Sequence, residues 1–261
     1  MEFGLNSKFA IITGGSHGIG RAIALNLASE GCNVLICSRN PQRLEDTKNA
    51  IKDLYPVDVL TVQVDVLREN SVEKVLKTLG DHWAHLHILI NNVGGGGRWG
   101  KESFHLTEES IWKDVYEKNA MTAVRFTNAC IPYMIKERWG RIINITSIFG
   151  KEGGGRPWFN MSKCAEISHM KCMAKNNELV RSGITFNSVA PGAIMIPNTG
   201  WSKLSNESPE TLDSLLDKNY PLGRLGTPEE VANVVAFICS EKASLVNGSC
   251  LTVDGGESNS F

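Results

Sequence analysis

Residues 9–20 are Phe9-Ala10-Ile11-Ile12-Thr13-Gly14-Gly15-Ser16-His17-Gly18-Ile19-Gly20, an apolar run followed by a glycine-rich turn. The first four are an unbroken apolar run, the pattern of a strand buried on both faces. Ile19, Ile23 and Leu27 then recur at helical spacing, so a helix begins where the glycines end. Gly14, Gly18 and Gly20 let the connecting turn tighten and bring backbone N–H groups at the helix start close to an anion, such as a pyrophosphate. A packing turn would also use glycine. The strand–turn–helix context is what favours a dinucleotide.

The same alternation repeats outward from this unit. Val34-Leu35-Ile36-Cys37 reads as a second strand, closed by Ser38-Arg39-Asn40-Pro41. Residues 59–64 make a third, ending at Asp65, and 86–90 a fourth, running into Asn91-Asn92-Val93-Gly94. A long helical segment over 108–136 leads to a strand at 141–146, which delivers Ser147 to a strand tip. After a Gly-rich loop, a helix carries Phe159 and Lys163, four residues apart and therefore on one face. A strand at 184–189, a variable region, a helix at 228–239 and a strand at 251–253 complete the pattern. Such repeated units predict an α/β fold: one doubly wound Rossmann-type domain over 1–261, with a parallel sheet of about seven strands and helices on both faces.

Composition narrows the function classes. The chain's 261 residues are enough to bury a sizeable core. A formal net charge of -1 supplies no broad basic field for nucleic acid or anionic lipid. No apolar run approaches the roughly 20 residues of a membrane span, and residues 1–8 lack the apolar centre of a signal peptide. The seven cysteines include no CxxC pair or Cys/His cluster, which points to reduced thiols in a cytoplasmic protein without a zinc site.

The glycine turn, with Thr13-Gly14 and then Gly18-x-Gly20, resembles the TGxxxGxG pattern of the short-chain dehydrogenase/reductase family. The resemblance extends over nearly the whole chain. Asp65-Val66 is similar to the family's adenine-contacting dipeptide, and Asn91-Asn92-Val93-Gly94 to its NNAG turn with valine in third place. Asn119, Ser147 and Lys163 match three catalytic positions, and Pro191-Gly192 follows the sixth strand as in the family. Gly226-Thr227-Pro228-Glu229-Glu230-Val231-Ala232 and Val253-Asp254-Gly255-Gly256 resemble its ketoacyl-reductase-like branch.

This resemblance implies cofactor contacts at Gly14, Ser16, His17, Gly18, Ile19, Gly20, Ser38, Arg39, Asp65, Val66, Asn92, Gly94, Lys163, Pro191, Gly192 and Ile194. An acidic residue after the second strand would grip ribose hydroxyls and repel a 2′-phosphate. Here the strand ends Cys37-Ser38-Arg39, and His17 precedes Gly18, so NADP(H) is favoured and NAD(H) is the second option. After Pro191-Gly192 the family often places a threonine that touches the cofactor. This chain reads Ala193-Ile194-Met195-Ile196, and Thr199 is the substitute candidate.

The family's catalytic tyrosine is replaced by Phe159. The resemblance implies that Asn119 holds a relay water, Ser147 hydrogen-bonds the substrate oxygen, and Lys163 binds the nicotinamide ribose and lowers the tyrosine's pKa. Hydride reduction of a carbonyl leaves a developing alkoxide that needs a proton. Tyrosine, which titrates near ~10 when free, would supply it under the influence of a neighbouring ammonium. Phenylalanine keeps the ring and loses the proton, a loss that typically costs ~10²–10⁴ in rate. Phe159 reads first as an engineered knock-out and second as a natural member that has abandoned chemistry or uses another donor.

The expected function is therefore an NADP(H)-dependent oxidoreductase acting on a small carbonyl or secondary alcohol, impaired at residue 159. The alternative is a non-catalytic dinucleotide sensor or structural subunit. Arg98, Trp99, Arg156, Trp158 and Trp201 border the expected substrate space, with a lid at about 194–220. Apolar residues on several faces of the two long helices (Val115, Ala120, Ala123, Phe126, Cys130 and Met134; Met161, Ile167, Met170 and Met173) predict a homo-oligomer. The family implies a tetramer.

Overall fold

Seven aliphatic runs form one parallel sheet: β1 (Phe9–Thr13), β2 (Asn33–Ser38), β3 (Val59–Gln63), β4 (Ile88–Asn91), β5 (Gly140–Ile145), β6 (Ile184–Pro191) and β7 (Cys250–Val253). The computed structural model describes residues 2–260; Met1 of the 1–8 segment and Phe261 at the end of the 1–261 assignment lie outside them. The strand order is β3-β2-β1-β4-β5-β6-β7. It reverses between β1 and β4, which pair through Ala10–Ile88 and Ile12–Ile90. In an open parallel sheet, the crevice outside the strand ends at such a reversal is the ligand-binding place.

The described residues form ten α-helices: α1 (Gly18–Ser29), α2 (Pro41–Lys52), α3 (Ser71–His82), α4 (Glu109–Tyr116), α5 (Thr122–Glu137), α6 (Pro157–Met173), α7 (Asn177–Arg181), α8 (Gly200–Glu207), α9 (Pro209–Asn219) and α10 (Pro228–Cys239). Side chains alternate across a strand, so Ile12 joins Ile23 and Leu27 of α1 and Val231 and Val235 of α10 on one face. Ile11 joins Val75 of α3, Phe126 of α5 and Met170 of α6 on the other. Each fully buried aliphatic side chain contributes roughly 1.5–3 kcal/mol by leaving water. The doubly wound expectation is met.

Three expectations are corrected in detail. The helical segment over 108–136 is interrupted by a widened π-type turn at Glu117–Met121, which carries Asn119. The variable region contains two helices, α8 and α9. The apolar residues expected to be wet in a monomer are largely covered by the protomer: Val115, Phe126, Cys130 and Met134 are each 0% exposed and Met170 1%. Met161 remains open, at 45%.

The Gly226–Ala232 motif has a local physical reason. Thr227 Oγ1 accepts from the Glu230 N–H at 3.3 Å, and Glu230 Oε2 accepts from the Thr227 N–H at 2.9 Å. This reciprocal cap satisfies two donors at the start of α10. Arg224 grips the same carboxylate at 2.9 and 2.7 Å, and with the Thr227 N–H it lowers the Glu230 pKa to about 2.

Candidate active site

The glycine turn lies between β1 and α1 at the sheet's reversal point. Gly14 has φ +67°, and a Cβ there would stand 2.9 Å from Asn92 Nδ2. At Gly20 a Cβ would lie 2.4 Å from both Asn92 Nδ2 and the Gly14 carbonyl oxygen. Asn92 holds the turn in place: its Nδ2 donates to the Thr13 carbonyl at 2.9 Å and to that of Gly14 at 3.3 Å. The glycines are thus required by close approach, and the cradle is preformed.

A cleft of about 330 Å³ opens from this turn. It gathers Gly14, Ser16, His17, Ser38, Arg39, Asp65, Val66, Asn92 and Gly94 from separate strand ends, all of them anticipated in the sequence. Ser16 Oγ donates to Ser38 Oγ at 2.8 Å, tying the glycine turn to the end of β2. Arg39 lines the cleft beside Arg43, which sequence reading missed; Arg39 precedes α2 and Arg43 lies in its first turn. Two guanidinium groups with no carboxylate at the end of β2 fit a phosphate-bearing adenosine. His17 also lines the cleft, but its Nε2 lies 3.0 Å from the Pro197 carbonyl oxygen and links the turn to the region before α8.

Lys118 closes the same wall and was also missed, although it immediately precedes Asn119. Its ammonium stands 4.8 Å from the centre of the Trp99 ring. Burial, then the positive charge of Arg39, lowers its pKa.

Pro191, Gly192 and Ile194 do not line this cleft. They continue from β6, where the Gly192 N–H donates to the Val253 carbonyl at 3.1 Å and Ile194 bridges to Gly226. Ile194 is 6% exposed and belongs to the core. Thr199 turns its hydroxyl to the Ile196 carbonyl at 2.7 Å. Gly18 and Ile19 belong to the first turn of α1, and Gly18 (φ +54°) faces Ile196.

Two of the positions expected to be catalytic, Asn119 and Lys163, meet at Gly94. A Cβ on Gly94 would lie 2.7 Å from Asn119 Oδ1 and 2.9 Å from Lys163 Nζ, so only glycine lets the turn rest on both. Asn119 is fully buried, and both ends of its carboxamide are engaged: Nδ2 donates to the Gly95 and Val115 carbonyls at 2.8 and 2.7 Å, and Oδ1 accepts from the Gly95 N–H at 3.0 Å. Its side chain therefore anchors the loop. Ser147 follows β5, and its Oγ accepts from the Phe149 N–H at 3.2 Å, which leaves the hydroxyl proton without a protein acceptor among the described residues.

Phe159 and Lys163 share the face of α6 that looks toward this point. Lys163 Nζ lies 5.7 Å from the Phe159 ring centre and donates to the Ile145 carbonyl at 3.1 Å. It also donates to Glu166 Oε2 at 2.8 Å. The Glu166 side chain is 1% exposed; burial raises its pKa, and the Lys163 charge opposes the rise. Glu166 was not singled out in the sequence, although its spacing of three from Lys163 puts both on one helix face.

Two residues expected near substrate serve packing. Trp158 is fully buried, edge-on to Trp112 at 5.4 Å and Phe104 at 5.9 Å, with Nε1 donating to the Gly96 carbonyl at 3.3 Å. Arg156 donates to the Lys101 carbonyl at 2.7 Å and pairs with Glu102. Arg98 lies over Gly200 at the start of α8, and Trp201 packs edge-on against Tyr220 at 6.1 Å.

Residues 14–258 match the family model described as enoyl-(acyl carrier protein) reductase. The 3-oxoacyl-[acyl-carrier-protein] reductase FabG of Aquifex aeolicus is 36% identical over 258 residues, covering 98% of this chain and 99% of that protein. L-sorbose reductase from Gluconobacter frateurii, solved with NADPH and L-sorbose, superimposes with a TM-score of 0.91 at 31% identity, over 100% of both chains. A 7α-hydroxysteroid dehydrogenase complexed with NADH and 7-oxo glycochenodeoxycholic acid gives 0.87 at 28% identity, over 98% of this chain and 96% of that one.

Proposed function

The chain belongs to the short-chain dehydrogenase/reductase family, and on that premise we propose an NADP(H)-linked oxidoreductase acting between a carbonyl and a secondary alcohol. The observation that carries this reading is the meeting at Gly94 of the dinucleotide cleft with Asn119 and Lys163. When bound, NADP(H) supplies or accepts the hydride. Gly14, Asn92 and the start of α1 would cradle its diphosphate, and Arg39 and Arg43 its adenosine phosphate. Ser147 is suited to donate a hydrogen bond to the substrate oxygen and favour the charge that develops there. Phe159 holds the ring position but offers no proton, so turnover runs below that of a tyrosine-bearing form.

The substrate class follows less narrowly. FabG relatives are named for 3-oxoacyl chains and the sorbose reductase for a ketose, which share a ketone beside polar groups. We assign substrate selection to Arg98, Trp99 and residues 194–220, which the His17–Pro197 contact joins to the cofactor turn. Self-association as a tetramer is part of the same proposal; its support is now the family and the open Met161 on α6. A second reading, dinucleotide binding without turnover, is favoured by the missing hydroxyl at 159. Calorimetry with NADPH and NADH tests the common premise. NADPH should bind at least ~10-fold more tightly, and absence of binding by either would defeat both readings.

A further inference from the structure

We propose that the buried Lys163–Glu166 pair is a proton store that serves the substrate oxygen in place of the hydroxyl Phe159 lacks. This rests on the oxidoreductase reading above. Lys163 Nζ has two partners in the protein, the Ile145 carbonyl at 3.1 Å and Glu166 Oε2 at 2.8 Å. The first fixes the ammonium beside the strand end from which Ser147 projects. The second runs inward to a carboxyl that is 1% exposed. Outward, the ammonium lies under Gly94, which lines the cofactor cleft. The pair therefore spans the distance from the protein interior to the reaction space.

A carboxyl that only positioned Lys163 would be an expensive choice, because a buried carboxylate loses its hydration and the Ile145 carbonyl already orients the ammonium. A carboxyl that exchanges a proton with Lys163 has a chemical reason to be there. Burial supports this by raising the affinity of Glu166 for a proton, with Lys163 opposing. Among the described residues, Lys163 is the one charge that acts on Glu166. From β5, Asn144 Nδ2 donates to the Glu166 backbone carbonyl at 3.2 Å. On α6, burial lowers the pKa of His169. Across the Gly94–Gly95 turn, the positive charge of Lys163 helps to lower the pKa of Lys118.

The step balances. The carbonyl carbon gains the hydride pair, and the oxygen, held by Ser147, gains one proton. That proton leaves Lys163 Nζ, directly or through one water. The resulting amine takes the proton of the Glu166 carboxylic acid, which restores the ammonium and leaves the carboxylate. One proton from solvent resets Glu166. Alcohol oxidation runs the same transfers backwards.

Carboxyl-selective carbon-13 NMR on the whole protein tests the store without any turnover. The Glu166 resonance, assigned by its loss in Glu166→Gln or its shift in Glu166→Asp, should titrate clearly above the ordinary glutamate value of about 4.3. Ionisation at or below that value would overturn the proposal. The kinetic arm follows NADPH oxidation with L-sorbose and an acetoacetyl thioester as probes, in a double-mutant cycle. Glu166→Gln should slow the Phe159 chain at least ~10-fold more than it slows Phe159→Tyr, with NADPH affinity retained. Equal effects in both backgrounds would show a structural role and overturn the proposal. Loss of NADPH binding in every version would instead sink the oxidoreductase reading, while the titration would still decide the pair.

Discussion

The Asn92 side chain donates to the Gly14 carbonyl at 3.3 Å, so the residue after β4 holds the turn after β1. The two strands flank the reversal of the sheet, and this bond makes the reversal a rigid cradle. Gly20 closes it from the helix side, where a methyl group would lie 2.4 Å from that same carbonyl oxygen. Gly20→Ala should therefore weaken NADPH binding at least ~10-fold and destabilise the fold by about 1–3 kcal/mol. Calorimetry and denaturant melts check both, and unchanged NADPH affinity would count against the cradle.

Arg39 and Arg43 are expected to choose the cofactor. Arg39→Asp replaces a counter-charge with a like charge beside the expected phosphate and should move preference toward NADH. Competitive binding of both cofactors reads the result. Unaltered selectivity would show Arg39 to be a turn residue only.

The sheet and its cradle were legible because parallel strands buried on both faces are continuous apolar runs, and because a Gly-rich turn between strand and helix has few other uses. What was not legible depends on distant partners. The widening around Asn119 has no local signature, since it arises where a helix meets the Gly94–Gly95 turn. Trp158 looked available for substrate until Phe104 and Trp112 were seen against it. Phe126 and Met134 looked wet until the sheet covered them, because helical spacing does not say which element a face meets. Glu166 and Arg43 stand three and four residues from Lys163 and Arg39, which the sequence had marked, but spacing alone does not say which neighbouring charge turns toward a site.

His87 supplies a pH prediction far from the cleft. Its Nδ1 accepts the Phe9 N–H at 3.2 Å and must therefore stay unprotonated there. Burial, with Lys8 nearby, lowers its pKa to about 4, while Glu137 pulls the other way. The unfolded chain binds this proton below about 6.5, so stability present above that pH should be lost as pH falls toward 4. Urea melts between pH 7 and 4 on the native chain and His87→Asn measure it. An identical slope in both would contradict the assignment.

Self-association is checked by light scattering at micromolar concentration, where a tetramer is expected. Met161→Glu on the open face of α6 should shift the mass downward. A native mass of one chain would remove this part of the account.

On the proposed reading, the site lacks one oxygen atom, at residue 159, for efficient hydride transfer. Single-turnover NADPH oxidation, followed by absorbance on the native chain and Phe159→Tyr with the same ketone, tests it most directly. A rise of at least ~10² is expected in the tyrosine form, with NADPH affinity unchanged. Equal rates in the two forms, on a ketone that both bind, would contradict it.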